Sequence, residues 1–146
     1  MLERFERMPA GLKLFSMAVW LKAPYFRTAR PWFQELRPGY ARATVRKRWG
    51  VTNHIGTVHA IALCNLCEFV GGTLMEVSIR KDMRWIPRGL QIDYVAKAES
   101  DVTAICSIDD IEWREKAVVD LPLTVCDAQE QVVARATIPM YVSPRG

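Results

Sequence analysis

Apolar positions along this chain fall into two periods. Residues 58–77 are apolar around the whole circumference of a helix, with Ala60, Ile61, Leu63, Leu66, Phe69, Val70 and Leu74 on every side. That pattern predicts a long helix that is buried all round. Residues 40–49 alternate instead. Ala41, Ala43 and Val45 face one way, and Arg42, Thr44, Arg46 and Arg48 face the other. The alternation predicts a half-buried strand with a basic outer face. Four more strands are expected over residues 90–96, 102–108, 118–126 and 132–142, with Asp127-Ala128-Gln129-Glu130 as a hairpin turn between the last two. Pro122 and Pro139 point to edges or bulges in those strands. A charged break covers residues 109–115. A first helix is expected over residues 9–23, with Pro9 in its first turn and Pro24 ending it. Residues 25–39 read as a connector.

Helix, strand, long helix, then four strands is an α+β order. An antiparallel sheet has one apolar face to cover, and a helix apolar all round can fill the concave side of a curled sheet. With 146 residues the chain is expected to form one domain, 1–146, in which residues 1–35 are the N-terminal helix and connector.

Composition narrows the class only slightly. Half the residues are hydrophobic and 25% are charged, which suits a soluble globular chain. A net charge of +4 with a pI near 9.0 fits an anionic small molecule as well as a nucleic acid. No recognition motif supports the nucleic-acid reading, even though Arg42, Arg46, Lys47 and Arg48 are clustered. Cys64, Cys67, Cys106 and Cys126 all lie in apolar segments. The Cys64–Cys67 pair falls mid-helix, away from the helix start that redox chemistry prefers, and no zinc set completes it. Buried core thiols in a reducing, cytoplasmic setting are therefore expected, with no metal and no redox cofactor. The apolar run at residues 12–21 is shorter than the roughly 20 residues a bilayer span needs, and Glu3 and Glu6 are unlike a basic leader. It is expected to pack on the domain, with a lid over a pocket or a weak membrane-surface contact as the sharper alternatives.

One residue breaks the apolar helix. Glu68 puts a carboxylate where charge is costly unless it is paired, hydrated or useful. Just upstream, Thr52-Asn53-His54-Ile55-Gly56-Thr57-Val58-His59 is a polar, glycine-containing loop leading to the helix N-terminus.

These residues resemble a known signature. Asn53-His54-Ile55-Gly56-Thr57-Val58-His59, with Glu68 nine positions after His59, is similar to the active-site pattern of hotdog-fold acyl-CoA thioesterases. The most similar branch contains the phenylacetyl-CoA thioesterases, where the pattern is Asn-x-x-Gly-Thr-x-His-Gly-Gly and an acidic residue nine after the histidine. The chain also resembles a domain-of-unknown-function branch of that superfamily. The likeness covers roughly residues 40–142. It implies a hotdog fold, in which a curled antiparallel sheet wraps one long buried helix, with the N-terminal helix as an addition. It departs where the usual Gly-Gly becomes Ala60-Ile61. Glycine lets a thioester approach the backbone, and isoleucine would reshape the pocket.

The resemblance implies hydrolysis of an acyl-CoA or acyl-carrier thioester, with an acyl-binding protein without turnover as the alternative. A dehydratase is a weaker rival. Glu68 would be the general base or, less favoured, the nucleophile. Amides near His59 and Ala60 would form the oxyanion hole. Glu68 lies nine residues past His59, about 13–14 Å along the axis, too far for both to act on one carbonyl. Each carboxylate would therefore serve the partner's loop across a two-fold homodimer, which two dimers can extend to a tetramer. Asn53 would bind substrate or water, or hold the loop. His59 would be a structural donor, and His54 is incidental. Gly56, Thr57 and Asn65 would contribute to substrate binding. Arg84, Trp85 and Arg88, with Arg80 and Lys81, form a basic loop that is either solvated or takes CoA phosphates, with Trp85 stacking on adenine.

Overall fold

The computed structural model describes residues 2, 10–109 and 111–146. Pro9 and Asp110 lie outside them. Helix α1 spans Gly11–Lys22 and is followed by a 3-10 turn, Pro24–Thr28. Strands β1 (Trp32–Arg37) and β2 (Tyr40–Val45) come next, then a second 3-10 turn, Trp49–Val51. The long helix α2 covers Ala60–Ser78. Strands β3 (Met83–Pro87), β4 (Gln91–Tyr94), β5 (Val102–Ser107), β6 (Ala117–Cys126) and β7 (Val132–Pro144) complete the chain.

The strands form one antiparallel sheet in the order β1-β2-β5-β6-β7-β3, with β4 also on β7. It curls around α2, as the hotdog resemblance implied. Inward positions of β2 alternate as expected, and those of β5 and β6 alternate as well: Ala41, Ala43, Val45, Val102, Ala104, Leu121 and Val125 are all inaccessible to solvent. Against these the helix buries Leu66, Phe69, Val70 and Leu74. Gly71 makes the close approach possible, since a Cβ there would lie 3.0 Å from Ile138 Cδ1.

Two strands differ from the sequence expectation. Strand β1 lies inside the segment read as a connector. A register shift between Phe33 and Glu35 breaks its alternation, so its buried residues, Phe33 and Leu36, fall three apart. Strand β3 lies inside the segment read as a basic loop. It is an edge strand paired only with β7, so its outward positions carry Arg84 and the exposed Ile86. Strands β6 and β7 are interior, yet each proline sits where a neighbour has stopped. Pairing of β5 with β6 ends at Leu123, one residue before Pro122 is reached. Pro139 falls in the break between β3 and β4 along β7, where its carbonyl accepts the Arg88 N–H at 2.8 Å. Neither proline therefore removes a ladder donor that a neighbour needs.

Helix α1 packs on β1. Trp20 meets Trp32 edge-on at 4.4 Å and donates its indole N–H to the Pro31 carbonyl at 3.0 Å. The buried Ser16 hydroxyl accepts the Phe33 N–H at 3.0 Å and donates to the Leu12 carbonyl at 2.8 Å. Phe15 lies 6.1 Å from Phe33, which stacks on Phe69 at 4.4 Å; Phe26 closes edge-on against Phe69 at 5.4 Å. This aromatic column ties the N-terminal segment to α2.

Helix α2 is not buried on every side. Ile61, Cys64, Glu68, Gly72 and Glu76 form a stripe at helical spacing that the sheet leaves partly open, with Ile61 52% exposed. Trp85, facing inward from β3, covers part of it: its indole N–H donates to Glu76 Oε2 at 3.0 Å, and its ring passes over Gly72.

Phe69 is the centre of the aromatic column. Phe69→Ala is expected to lower the unfolding free energy by about 3–5 kcal/mol, measured by urea denaturation.

Candidate functional site

The loop before α2 is knotted by Asn53. Its Oδ1 accepts the N–H groups of Ile55 and Thr57, each at 3.1 Å, and its Nδ2 donates to Thr57 Oγ1 at 2.7 Å. The backbone closes the same loop, with Asn53 N–H on the Thr57 carbonyl at 2.9 Å and Gly56 N–H on the Asn53 carbonyl at 3.1 Å. Gly56 turns the chain at φ +79°, which favours glycine. Asn53 thus holds the loop through amides, while one Nδ2 hydrogen has no acceptor there. Thr57 is buried beneath it. His54 is exposed.

His59 caps α2. Its Nδ1 accepts the Ile61 N–H at 3.0 Å. A ring nitrogen that accepts carries no proton, so the ring is the Nε2–H tautomer. The expected structural donor is therefore an acceptor. The His59 amide is also committed, to the Val51 carbonyl at 2.8 Å. That removes it from the oxyanion hole expected of the His59 and Ala60 amides together. The Ala60 N–H has no acceptor among the described residues. It sits at the start of a 19-residue helix, where orphan donors and the positive end of the dipole coincide.

Glu68 is half-buried on the open stripe, with no hydrogen bond or ion pair among the described residues. Burial raises its carboxyl pKa above the ordinary value, since ionisation loses hydration there. It lines a cleft of about 390 Å³, walled by residues 23–26 on one side and by Ile61, Cys64 and Asn65 on the other. A smaller cleft of about 170 Å³ adjoins it. Tyr25, Ile61 and Asn65 are common to both, and the smaller one reaches Thr28, Gly50 and His59. Ile61, which stands where the related signature has glycine, therefore shapes both spaces.

Asn65 pins the turn that walls these clefts. Its Nδ2 donates to the Tyr25 carbonyl at 3.3 Å and to Thr28 Oγ1 at 3.5 Å. The Thr28 hydroxyl gives its own proton to the Tyr25 carbonyl at 2.7 Å, so it can only accept from Asn65. That arrangement fixes the amide's orientation and leaves the buried Oδ1 without a partner among the described residues.

The basic segment divides between the two faces of the sheet. Arg84 donates to Ser143 Oγ at 3.2 Å, and Arg88 lies over the Tyr141 ring at 4.8 Å, both on the outer face of the sheet. Trp85 points the other way, onto α2. Phe15 and Trp20 line neither cleft; the turn after α1 does so instead. Sequence reasoning passed over Tyr25 and Phe26, for which the aromatic pair just past Pro24 was the available signal. Cys67 and Cys106 are buried, and burial pushes each thiol up to about 12. Cys64 and Cys126 are only half-buried, contrary to expectation. Cys64 faces the cleft, 3.4 Å from the Tyr94 hydroxyl. Among the described residues, α2 is the one helix long and apolar enough to cross a membrane, and it is the core helix of the sheet.

A curled antiparallel sheet around one long helix makes this a hotdog-fold protein. The model of the domain of unknown function DUF4442 matches residues 11–142, and the chain belongs to that family. A crystallised structural-genomics protein, APC5556, is 44% identical over 98% of this chain and 95% of its own, with a TM-score of 0.87. A Pseudomonas aeruginosa protein of unknown function and probable thioesterase, PA5026, is 24% identical, covering 94% of this chain and 97% of its own at a TM-score of 0.81. A mutant of the P. aeruginosa thioesterase PA1618 is 14% identical, covering 95% and 98% at a TM-score of 0.78. At those two identities the likeness is one of fold. Among curated proteins none matches the chain.

The raised pKa of Glu68 has a stability consequence. The folded state holds the Glu68 proton more tightly than the unfolded chain does, so this group's contribution to stability falls as pH rises past about 4.3, the unfolded value. Glu68→Gln is expected to raise Tm at pH 7–8. The gain should fade near pH 4, as read by thermal melts across pH.

Proposed function

We propose that this protein hydrolyses acyl-CoA or a related acyl thioester, with Glu68 activating water and the Ala60 amide receiving the charge that develops on the carbonyl oxygen. The observation that carries the reading is the pairing of an unpartnered, half-buried carboxylate with an apolar cleft on the helix face that the sheet leaves open. Burial makes the carboxylate a stronger base than an exposed one. With His59 Nδ1 taken up by the Ile61 N–H, proton transfer falls to Glu68 in this reading. Hydrolysis by the thioesterases that share this fold supports the same class of reaction.

Nine residues of helix separate Glu68 from the cap, about 13–14 Å. One chain therefore does not supply both groups to one carbonyl. The open stripe of α2 faces a second copy in our reading, and a two-fold pair brings each Glu68 to the partner's Ala60. Exposed Tyr94, whose hydroxyl lies 3.4 Å from Cys64 Sγ on the stripe, adds ring surface suited to such a contact. The four free thiols fit a reducing compartment, the cytoplasm.

A second reading, an acyl-thioester binding protein without turnover, draws on Ile61. Its side chain lines both clefts where the related signature has glycine.

Turnover of an acyl-CoA panel separates the two. Glu68→Gln is expected to lower kcat/KM by about 100-fold or more. In the wild type the acid limb of the pH profile should lie above about 4.3, the ordinary glutamate value. Turnover that survives intact in Glu68→Gln, or binding with no Glu68-dependent turnover, defeats the hydrolase reading.

Ala60→Pro tests the amide. Proline is tolerated at the first helical position, and His59 already has the extended backbone, φ −62° and ψ 139°, that a following proline requires. The fold should persist while the rate falls by about 100-fold. Mixing unfolded Glu68→Gln and Ala60→Pro chains and refolding them together should restore about a quarter of wild-type activity, since half the dimers are mixed and each has one intact site. No recovery would place each site within one chain.

A further inference from the structure

One exposed surface combines an aromatic ring with unpaired charge and has no part in the reading so far. Trp49 begins the short turn before the Asn53 loop and is 93% exposed. An indole left almost wholly in water forgoes the burial that favours folding. Beside it, Arg48 is held in place. Its Nη2 donates to the Thr28 carbonyl at 2.7 Å, and its Nη1 lies so close over Gly50 that a Cβ there would be 2.4 Å away. Arg30 approaches the same spot from the end of the other turn, with its backbone at φ +54°, a conformation that L residues avoid. The two cations are near enough to repel. Burial first, and Arg30 second, lower the pKa of Arg48. Neither guanidinium has a carboxylate partner among the described residues. A fold that gathers two like charges without neutralising them is suited to an anion.

Position gives the cluster its meaning. Thr28 and Gly50, which hold Arg48, line the smaller cleft, and that cleft also reaches His59 at the head of α2. The Val51 carbonyl ties this turn to the His59 amide, next to the free Ala60 N–H. The cluster therefore stands beside the smaller cleft, through the Thr28 and Gly50 that Arg48 touches, and that cleft extends to the head of α2. By contrast, Arg84 and Arg88 lie on the outer face of the sheet and open on neither cleft.

The geometry points to a nucleotide subsite in which Arg30 and Arg48 take phosphate oxygens and Trp49 stacks on the base of the thioester's carrier. This rests on the acyl-thioester reading above and extends it to the carrier, a phosphorylated nucleotide such as that of coenzyme A. An acidic carrier protein would also meet the cations, but it offers no base for the indole.

The test compares an acyl-CoA with the same acyl group on N-acetylcysteamine, which has no nucleotide. Trp49→Ala and Arg30→Ala alter exposed side chains, so folding is little threatened. Each is expected to raise KM for the acyl-CoA about tenfold relative to KM for the short thioester. Calorimetric titration of 3′,5′-ADP into the Glu68→Gln protein reads the subsite without turnover. Binding should weaken with added salt and fall in the doubly substituted Trp49→Ala, Arg30→Ala protein. Equal KM changes on both thioesters overturn the proposal, as does 3′,5′-ADP binding that ignores these residues. A Trp49→Ala protein of changed oligomeric mass would assign the indole to a subunit contact and overturn it too. The hydrolase reading fails separately, if Glu68→Gln keeps its turnover while the nucleotide still binds.

Discussion

Everything in this molecule depends on how far one sheet can wrap one helix. The curled antiparallel sheet encloses α2 on the side of Leu66, Phe69, Val70 and Leu74, and it ends before covering Ile61, Cys64 and Glu68. Burial on the first side supplies the free energy that holds the domain together. The open side is where a carboxylate can be partly desolvated without being entombed. Full enclosure would leave Glu68 neutral and unreachable, and full exposure would leave it an ordinary surface acid.

The N-terminal segment contributes to the same balance. Helix α1 is a packing element, anchored through Ser16, Trp20 and the ring column from Phe15 to Phe69. The turn that follows it, Pro24–Thr28, supplies the far wall of both clefts. Asn65 fastens that wall to α2 through two donated hydrogen bonds. A polar residue within an apolar helix thereby sets the width of the space beside Glu68. Among the described residues its own oxygen has no partner, a cost that polar burial normally avoids.

The head of α2 shows how committed a site loop can be. Asn53, Thr57 and His59 spend most of their hydrogen-bonding capacity on holding the loop and capping the helix. Among the described residues the Ala60 N–H at the head of the helix has no acceptor. Rigidity of that kind is what electrostatic stabilisation requires, because a donor that is already oriented need not reorganise as charge develops.

How much was legible in the chain follows from which signals are local. Period-2 alternation exposed β2, β-rich segments flanking turn residues exposed the later strands, and a continuous apolar run exposed α2, because each pattern is set by residues within a few positions of one another. The spacing of Asn53, His59 and Glu68 likewise singled out the loop and the helix face beside the cleft. Strand β1 was hidden because a bulge broke its period, and β3 because an edge strand carries charge on its free face. The division of Arg84 and Trp85 onto opposite faces was hidden with it. Only the tertiary structure decided which side of α2 the sheet leaves open, that the His59 amide is already taken by Val51, and that the turn after α1 reaches Glu68. Those facts depend on contacts between residues far apart in the chain, where periodicity carries no information and packing alone sets the distance.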